Sequence, residues 1–171
     1  HNIKIIFMGW ENCGTMEKNR MYVLINAKRR LKMNEIISLE VENLCKCFSF
    51  WDFEFNMEKR KRIENDIISG KRRMYVFEYA GKYIAGVCIS TYNQDTCCIS
   101  YLAVEENYQN KGIGTALIKF ACDYAKDLNF KKVLLEVDYG NIRAKKLYQE
   151  LGFLNDEINP QSRIRMIKHF T

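Results

Sequence analysis

The chain has 171 residues, 47% of them hydrophobic and 28% charged, with a formal net charge of +6. That is enough apolar material for one packed domain and too much for a disordered chain. No apolar run approaches the roughly 20 residues that cross a bilayer, and Ile3–Met8 is too short for a signal-peptide core, with no clear small-residue cleavage site after it.

In chain order, residues 1–20 read as an N-terminal extension or an appended tail, with Met16 and Met21 as candidate native starts and one domain over 21–171. Met21–Ile25 has the pattern of a first strand. The spacing of Ile37, Val41, Leu44 and Phe48 predicts a helix from about Asn34. An aromatic stretch without clean periodicity follows, containing Trp51, Phe53 and Phe55. A charged helix is predicted over Met57–Ser69, stopped by Gly70. A meander comes next: a strand over Met74–Ala80, a type II′ turn at Gly81-Lys82, a strand over Tyr83–Thr91, a turn at Asn93-Gln94-Asp95, and a strand over Cys97–Val104.

After that strand the chain reads Gln109-Asn110-Lys111-Gly112-Ile113-Gly114-Thr115. A helix follows, with Ile113, Ala116, Leu117, Phe120, Ala121, Tyr124 and Leu128 on one face. The order strand, glycine loop, helix suits an anion. Glycine lets the backbone come close, and the first-turn N–H groups and helix dipole face the guest, with Lys111 nearby. The loop is neither a Walker A motif nor a dinucleotide fingerprint, because Leu117 occupies the place of the third glycine. Val133–Val137 then reads as a buried strand that needs a crossover, hence a parallel neighbour. Asn141 opens a further helix with Ala144, Leu147, Tyr148 and Leu151 on one face, and Gly152 ends it. A last hairpin is predicted from Leu154–Ile158, a turn with Pro160, and Arg163–Phe170. The fold class is α/β (α+β): a mixed, mostly antiparallel sheet flanked by helices.

Seven cysteines, an odd number without paired C-x-x-C knuckles, argue against a structural zinc site and suit reduced thiols in the cytoplasm. The basic clusters at 28–32, 59–62 and 71–73 alternate with acids such as Glu58 and Glu64 and accompany no recognition motif. They read as solvated faces, so neither nucleic acid nor a membrane is the expected partner.

The loop matches Q/R-x-x-G-x-G/A, and Asn141-x-x-Ala144-x-x-x-Tyr148-x-x-x-Gly152-Phe153 matches a second block. Together they resemble the GNAT family of N-acetyltransferases, well over residues 73 to 170 and by layout alone over 21 to 72. The resemblance implies acetyl-CoA as co-substrate and no metal. It implies that main-chain groups of Leu102, Ala103 and Val104 pair with the pantetheine arm, and that Gln109, Asn110, Lys111, Gly112, Ile113, Gly114 and Thr115 cradle the pyrophosphate. Asn141 and Ala144 complete the cofactor side. Tyr148 is implied as general acid, its alternative role being core packing. Leu135-Glu136-Val137 stands as in ribosomal-protein N-terminal acetyltransferases of the RimI kind, where a glutamate at this place acts as base. Glu136 could otherwise bond backbone or cofactor. No carboxylate precedes the glycine loop at Ile99-Ser100-Tyr101, which leaves Glu136, Glu105, Glu106 or water. Trp51, Phe53 and Phe55 either shape the acceptor wall or pack the first helix onto the sheet. The expected reaction is direct acetyl transfer in a ternary complex to a primary amine of a small molecule. The alternatives are a peptide N-terminus as acceptor, or an acyl-CoA-binding regulatory module without turnover. A homodimer is among the expected assemblies.

Overall fold

The computed structural model describes residues 20–23, 34–47, 49–51, 57–158 and 163–170. Its organising unit is a three-strand meander of β3 (Arg72–Tyr79), β4 (Lys82–Thr91) and β5 (Thr96–Val104), all antiparallel. The turn between β3 and β4 is Ala80-Gly81, one residue earlier than the sequence suggests, with φ of 51° and 79°. Two positive φ values make it type I′ rather than II′, the twist that a two-residue hairpin favours. β4 is buried from Ile84 to Ile89, so its side chains meet packed material on both faces.

Two apolar clusters occupy those faces. The larger packs Phe77, Ile84, Val87, Ile99, Val133, Leu135 and Val137 against Ile113, Leu117, Phe120 and Ala121 of α2 (Ile113–Asp127). α3 (Ile142–Glu150) adds Tyr148. The smaller packs Met74, Val76 and Cys88 against Leu44, Trp51 and Ile63, the last from α1 (Met57–Ile68). α2 buries more than its predicted stripe, since Ile118, Cys122 and Ala125 are also enclosed while Leu128 is half exposed.

Among the described residues, eight strands form one sheet in the order β1-β2-β3-β4-β5-β6-β8-β7. β1 is Arg20–Val23, β6 Lys132–Asp138, β7 Leu154–Ile158 and β8 Arg163–His169. Only β5 and β6 run parallel, because α2 carries the chain across between them. The helix predicted from Asn34 is a correction. Asn34–Ser38 forms β2, and a 3₁₀ helix follows at Val41–Cys47. Pairing with β3 decides it: Ile36 sits opposite Phe77 and is fully buried, so tertiary pairing outweighs a loose helical spacing. Phe48, Phe53, Phe55, Pro160 and residues 1–19 lie outside the described residues.

Candidate active site

β5 and β6 pair only from Thr96↔Lys132 to Ile99↔Leu135. Beyond that point they part, and the cleft opens between Ser100–Val104 and Glu136–Asp138. On its other side β5 remains attached to β4 through an irregularity, with Cys88 opposite Ser100 and Gly86 opposite Ala103. The extra length is taken up at Tyr101, a non-glycine residue at φ 50°. A bulge of this kind re-aims the backbone and frees main-chain groups from the ladder. The Tyr101 carbonyl accepts the indole N–H of Trp51. Trp51 itself is 3% exposed, and its ring fills the space that a Cβ on Gly86 would need. Trp51 is thus a packed part of the second cluster that buttresses the bulge.

The glycine loop begins where β5 ends. Gln109 Nε2 donates to the Val104 carbonyl at 3.1 Å, folding the loop back on the strand. Asn110 and Gly112 take φ of 61° and 80°, which asparagine tolerates and glycine adopts freely. Gly112 caps α2 without any side-chain bond to the first turn, so the amides of that turn point into the loop's concavity. Arg143 of α3 reaches over and donates to Asn110 Oδ1, while Lys111 lies over the Tyr108 ring at 5.0 Å. The arrangement can hold a polyanion by backbone amides with two cations at its rim.

α3 begins as the sequence predicts. Asn141 Oδ1 accepts the Ala144 N–H at 3.0 Å, a side-chain N-cap. One turn further, Tyr148 is 9% exposed and packs against Phe153 with ring centroids 6.0 Å apart. Burial pushes its phenol up from the ordinary range, with the Arg163 guanidinium pulling the other way.

Glu136 points away from the larger cluster, which takes Val133, Leu135 and Val137. Its side chain is 29% exposed and sits between two arginines. Arg163 Nη1 lies 3.5 Å from Oε2 and Arg165 Nη2 3.7 Å from Oε1. Arg163 also reaches Asp138 Oδ1 at 3.3 Å, and Arg165 pairs with Glu157. The carboxylate is thus shared between two guanidiniums rather than isolated in an apolar strand. Glu105 and Glu106 stand at the far end of β5, where the Glu105 N–H donates to the Ile84 carbonyl at 2.8 Å and Glu106 is exposed. No local motif marks Arg143, Arg163, Arg165 or the Tyr101 bulge in the sequence. Arg163 and Arg165 do alternate along one strand, a signal that becomes legible once β8 is registered against β6.

A cleft between splayed strands, an amide-lined glycine loop and an asparagine-capped helix is a known assembly. The profile of the Acetyltransferase (GNAT) family matches residues 38–153. The chain belongs to the GNAT family. Among curated relatives, the Xenopus laevis protein named N-alpha-acetyltransferase 30 is 42% identical over 59 residues, 34% of this chain. That match spans 22% of the relative's own length. Among solved structures, the ribosomal-protein-S18-alanine N-acetyltransferase from Escherichia coli superposes with a TM-score of 0.65 at 22% identity. It covers 81% of this chain and 95% of that one. The PaiA N-acetyltransferase from Thermoplasma acidophilum, solved with coenzyme A, gives 0.67 at 17% identity and covers 80% and 99%. These structural likenesses extend the shared GNAT fold over four-fifths of the chain. No helix among the described residues is long and apolar enough to cross a membrane.

Proposed function

We propose that this GNAT enzyme acetylates a polypeptide α-amino group by direct attack in a ternary complex, with Glu136 as base and Tyr148 as acid. The neutral amine nitrogen attacks the thioester carbonyl carbon, the C–N bond forms and the C–S bond breaks. One amine proton leaves toward Glu136 through a bound water, and the Tyr148 hydroxyl protonates the departing sulfur. The β6-facing side of Leu102, Ala103 and Val104, where β5 has no strand partner among the described residues, suits the pantetheine arm, and the loop from Gln109 to Thr115 suits the pyrophosphate. Asn141 and Ala144 would close the cofactor side; Phe53 and Phe55 are assigned to the acceptor side, whereas Trp51, buried behind the bulge, serves packing.

The observation that carries the choice of acceptor is the shared carboxylate. Glu136 is held by Arg163 and Arg165 at 3.5 and 3.7 Å, so its carboxylate is already engaged by two guanidiniums. An aliphatic amine has a pKa of about 10.4, whereas an α-amino group has one of about 7.7–8.0 and is already partly neutral near pH 7. The α-amine asks less of such a base. The names of the relatives, N-alpha-acetyltransferase 30 and S18-alanine N-acetyltransferase, support the same reading. It departs from the small-molecule amine that the sequence suggests. Free thiols at Cys45, Cys47, Cys88, Cys97, Cys98 and Cys122 support a reducing compartment such as the cytoplasm.

The test is thiol release from acetyl-CoA with three acceptors: free-N-terminus peptides, the same peptides blocked at the N-terminus, and small aliphatic amines. Turnover of free but not blocked peptides is expected, with the acetyl group located on the α-nitrogen by mass spectrometry. Higher kcat/KM for an aliphatic amine than for every peptide would restore the small-molecule reading.

A further inference from the structure

We propose that Arg163 is a positioning residue that fixes the catalytic carboxylate to the open end of β6, an inference that rests on the assignment of Glu136 as base. Arg163 stands opposite Asp138 in the β6–β8 register, two residues beyond Glu136 and past the point where β6 has lost β5. There β6 has a ladder partner on one side only, and the geometry of Glu136 depends on what β8 supplies. Arg163 supplies three contacts at once. Its Nη1 faces Glu136 Oε2 at 3.5 Å, its Nε faces Asp138 Oδ1 at 3.3 Å, and its Nη2 donates to the main-chain carbonyl of Glu136 at 3.3 Å.

One planar guanidinium thus ties a side chain and its own backbone together, and anchors both to the next outward-facing residue of the strand. A fork of fixed shape does this and an ammonium does not. Arg165 holds the second carboxylate oxygen from the neighbouring position and is itself restrained by Glu157. Arg163 is also the charged group whose field lowers the otherwise raised pKa of the buried Tyr148 phenol. Catalytic groups must be held close to their productive geometry, and a misplacement on the order of 1 Å can cost about 100-fold.

The experiment measures kcat, KM for acetyl-CoA and the melting midpoint for Arg163→Gln and Arg163→Lys, each alone and combined with Glu136→Gln. Arg163→Gln should lower kcat by about 5- to 100-fold, while KM for acetyl-CoA stays within about twofold. Arg163→Lys should fall between it and the parent. Added guanidinium ion should restore part of the lost kcat to Arg163→Gln and none to Glu136→Gln. In the Glu136→Gln background, replacing Arg163 should cost little more, because the group it positions is already disabled. An unchanged kcat in Arg163→Gln, or an equal loss in both backgrounds, overturns the proposal. Should Arg163→Gln melt below the assay temperature, Arg163→Lys decides, and a kcat equal to the parent overturns it. A Glu136→Gln enzyme with full kcat would instead remove the base assignment, and this inference with it.

Discussion

Tyr148 is a packed core residue and, in the proposed mechanism, also the acid. Its ring belongs to the larger apolar cluster, packed beside Phe153, and that enclosure keeps the phenol protonated at neutral pH. A protonated phenol is what a leaving thiolate needs. Because a thiol pKa of about 8.5 already makes the thiolate a fair leaving group, the proton is worth the lower end of general-acid contributions, about 100-fold. Tyr148→Phe keeps the ring and its packing. It should therefore lower kcat by about that factor, with the melting midpoint and the affinity for acetyl-CoA little changed. Steady-state kinetics with single-turnover control measures it, and an unchanged chemical step would leave Tyr148 as a packing residue.

At the scale of elements, the bulge in β5 is supported by Trp51, and that support depends on Gly86. A methyl group at Gly86 would run into the Trp51 ring and lie 3.1 Å from the Tyr75 carbonyl. Overpacking of this kind typically costs about 1–3 kcal/mol. Gly86→Ala should lower the urea midpoint accordingly. Because the displaced indole also bonds the Tyr101 carbonyl, kcat should fall with it. A variant with reduced stability but parental kcat would separate packing from function. The same pair of strands shows what a sequence conceals. The glycine loop and α3 were legible because their signals are local: positive φ at Gly112 and a side-chain cap at Asn141. The bulge at Tyr101 left no such mark, since Ile99–Val104 reads as one continuous strand with no glycine or proline in it. Arg163 and Arg165 became part of the site only through their cross-strand register with Asp138 and Glu136. At Asn34–Ser38 pairing with its neighbours, and not its own spacing, fixes the conformation.

Across the molecule as a whole, several cysteines among the described residues are buried or half-buried. Burial, the leading cause in each case, lifts Cys47 and Cys97 to about 12 and Cys98 and Cys122 to about 11. In the unfolded chain a thiol ionises near pH 8.5. The folded state therefore holds protons that the unfolded state releases. The thiols' contribution to stability is fully present below about pH 8.5 and is lost as pH rises through the folded values. Urea midpoints should drop between pH 7.5 and pH 10. Cys97→Ala, which removes one such proton, should flatten the decline. A midpoint independent of pH over that interval in the parent would contradict the burial of these groups.

The bond between Trp51 and the carbonyl of Tyr101 also turns the bulge into a built-in optical gauge. The chain holds two tryptophans, Trp10 and Trp51, so Trp10→Phe leaves a single indole, whose N–H is committed to the backbone of the splayed strand. Indole emission depends on the polarity and hydrogen bonding around that N–H. If the donor's arm lies along Ser100–Val104, seating it should shift the Trp51 emission in a saturable way. The midpoint of that titration should match the acetyl-CoA affinity found by calorimetry. Emission that stays fixed at saturating acetyl-CoA would mean that the strand accepts its ligand without moving the carbonyl that Trp51 holds.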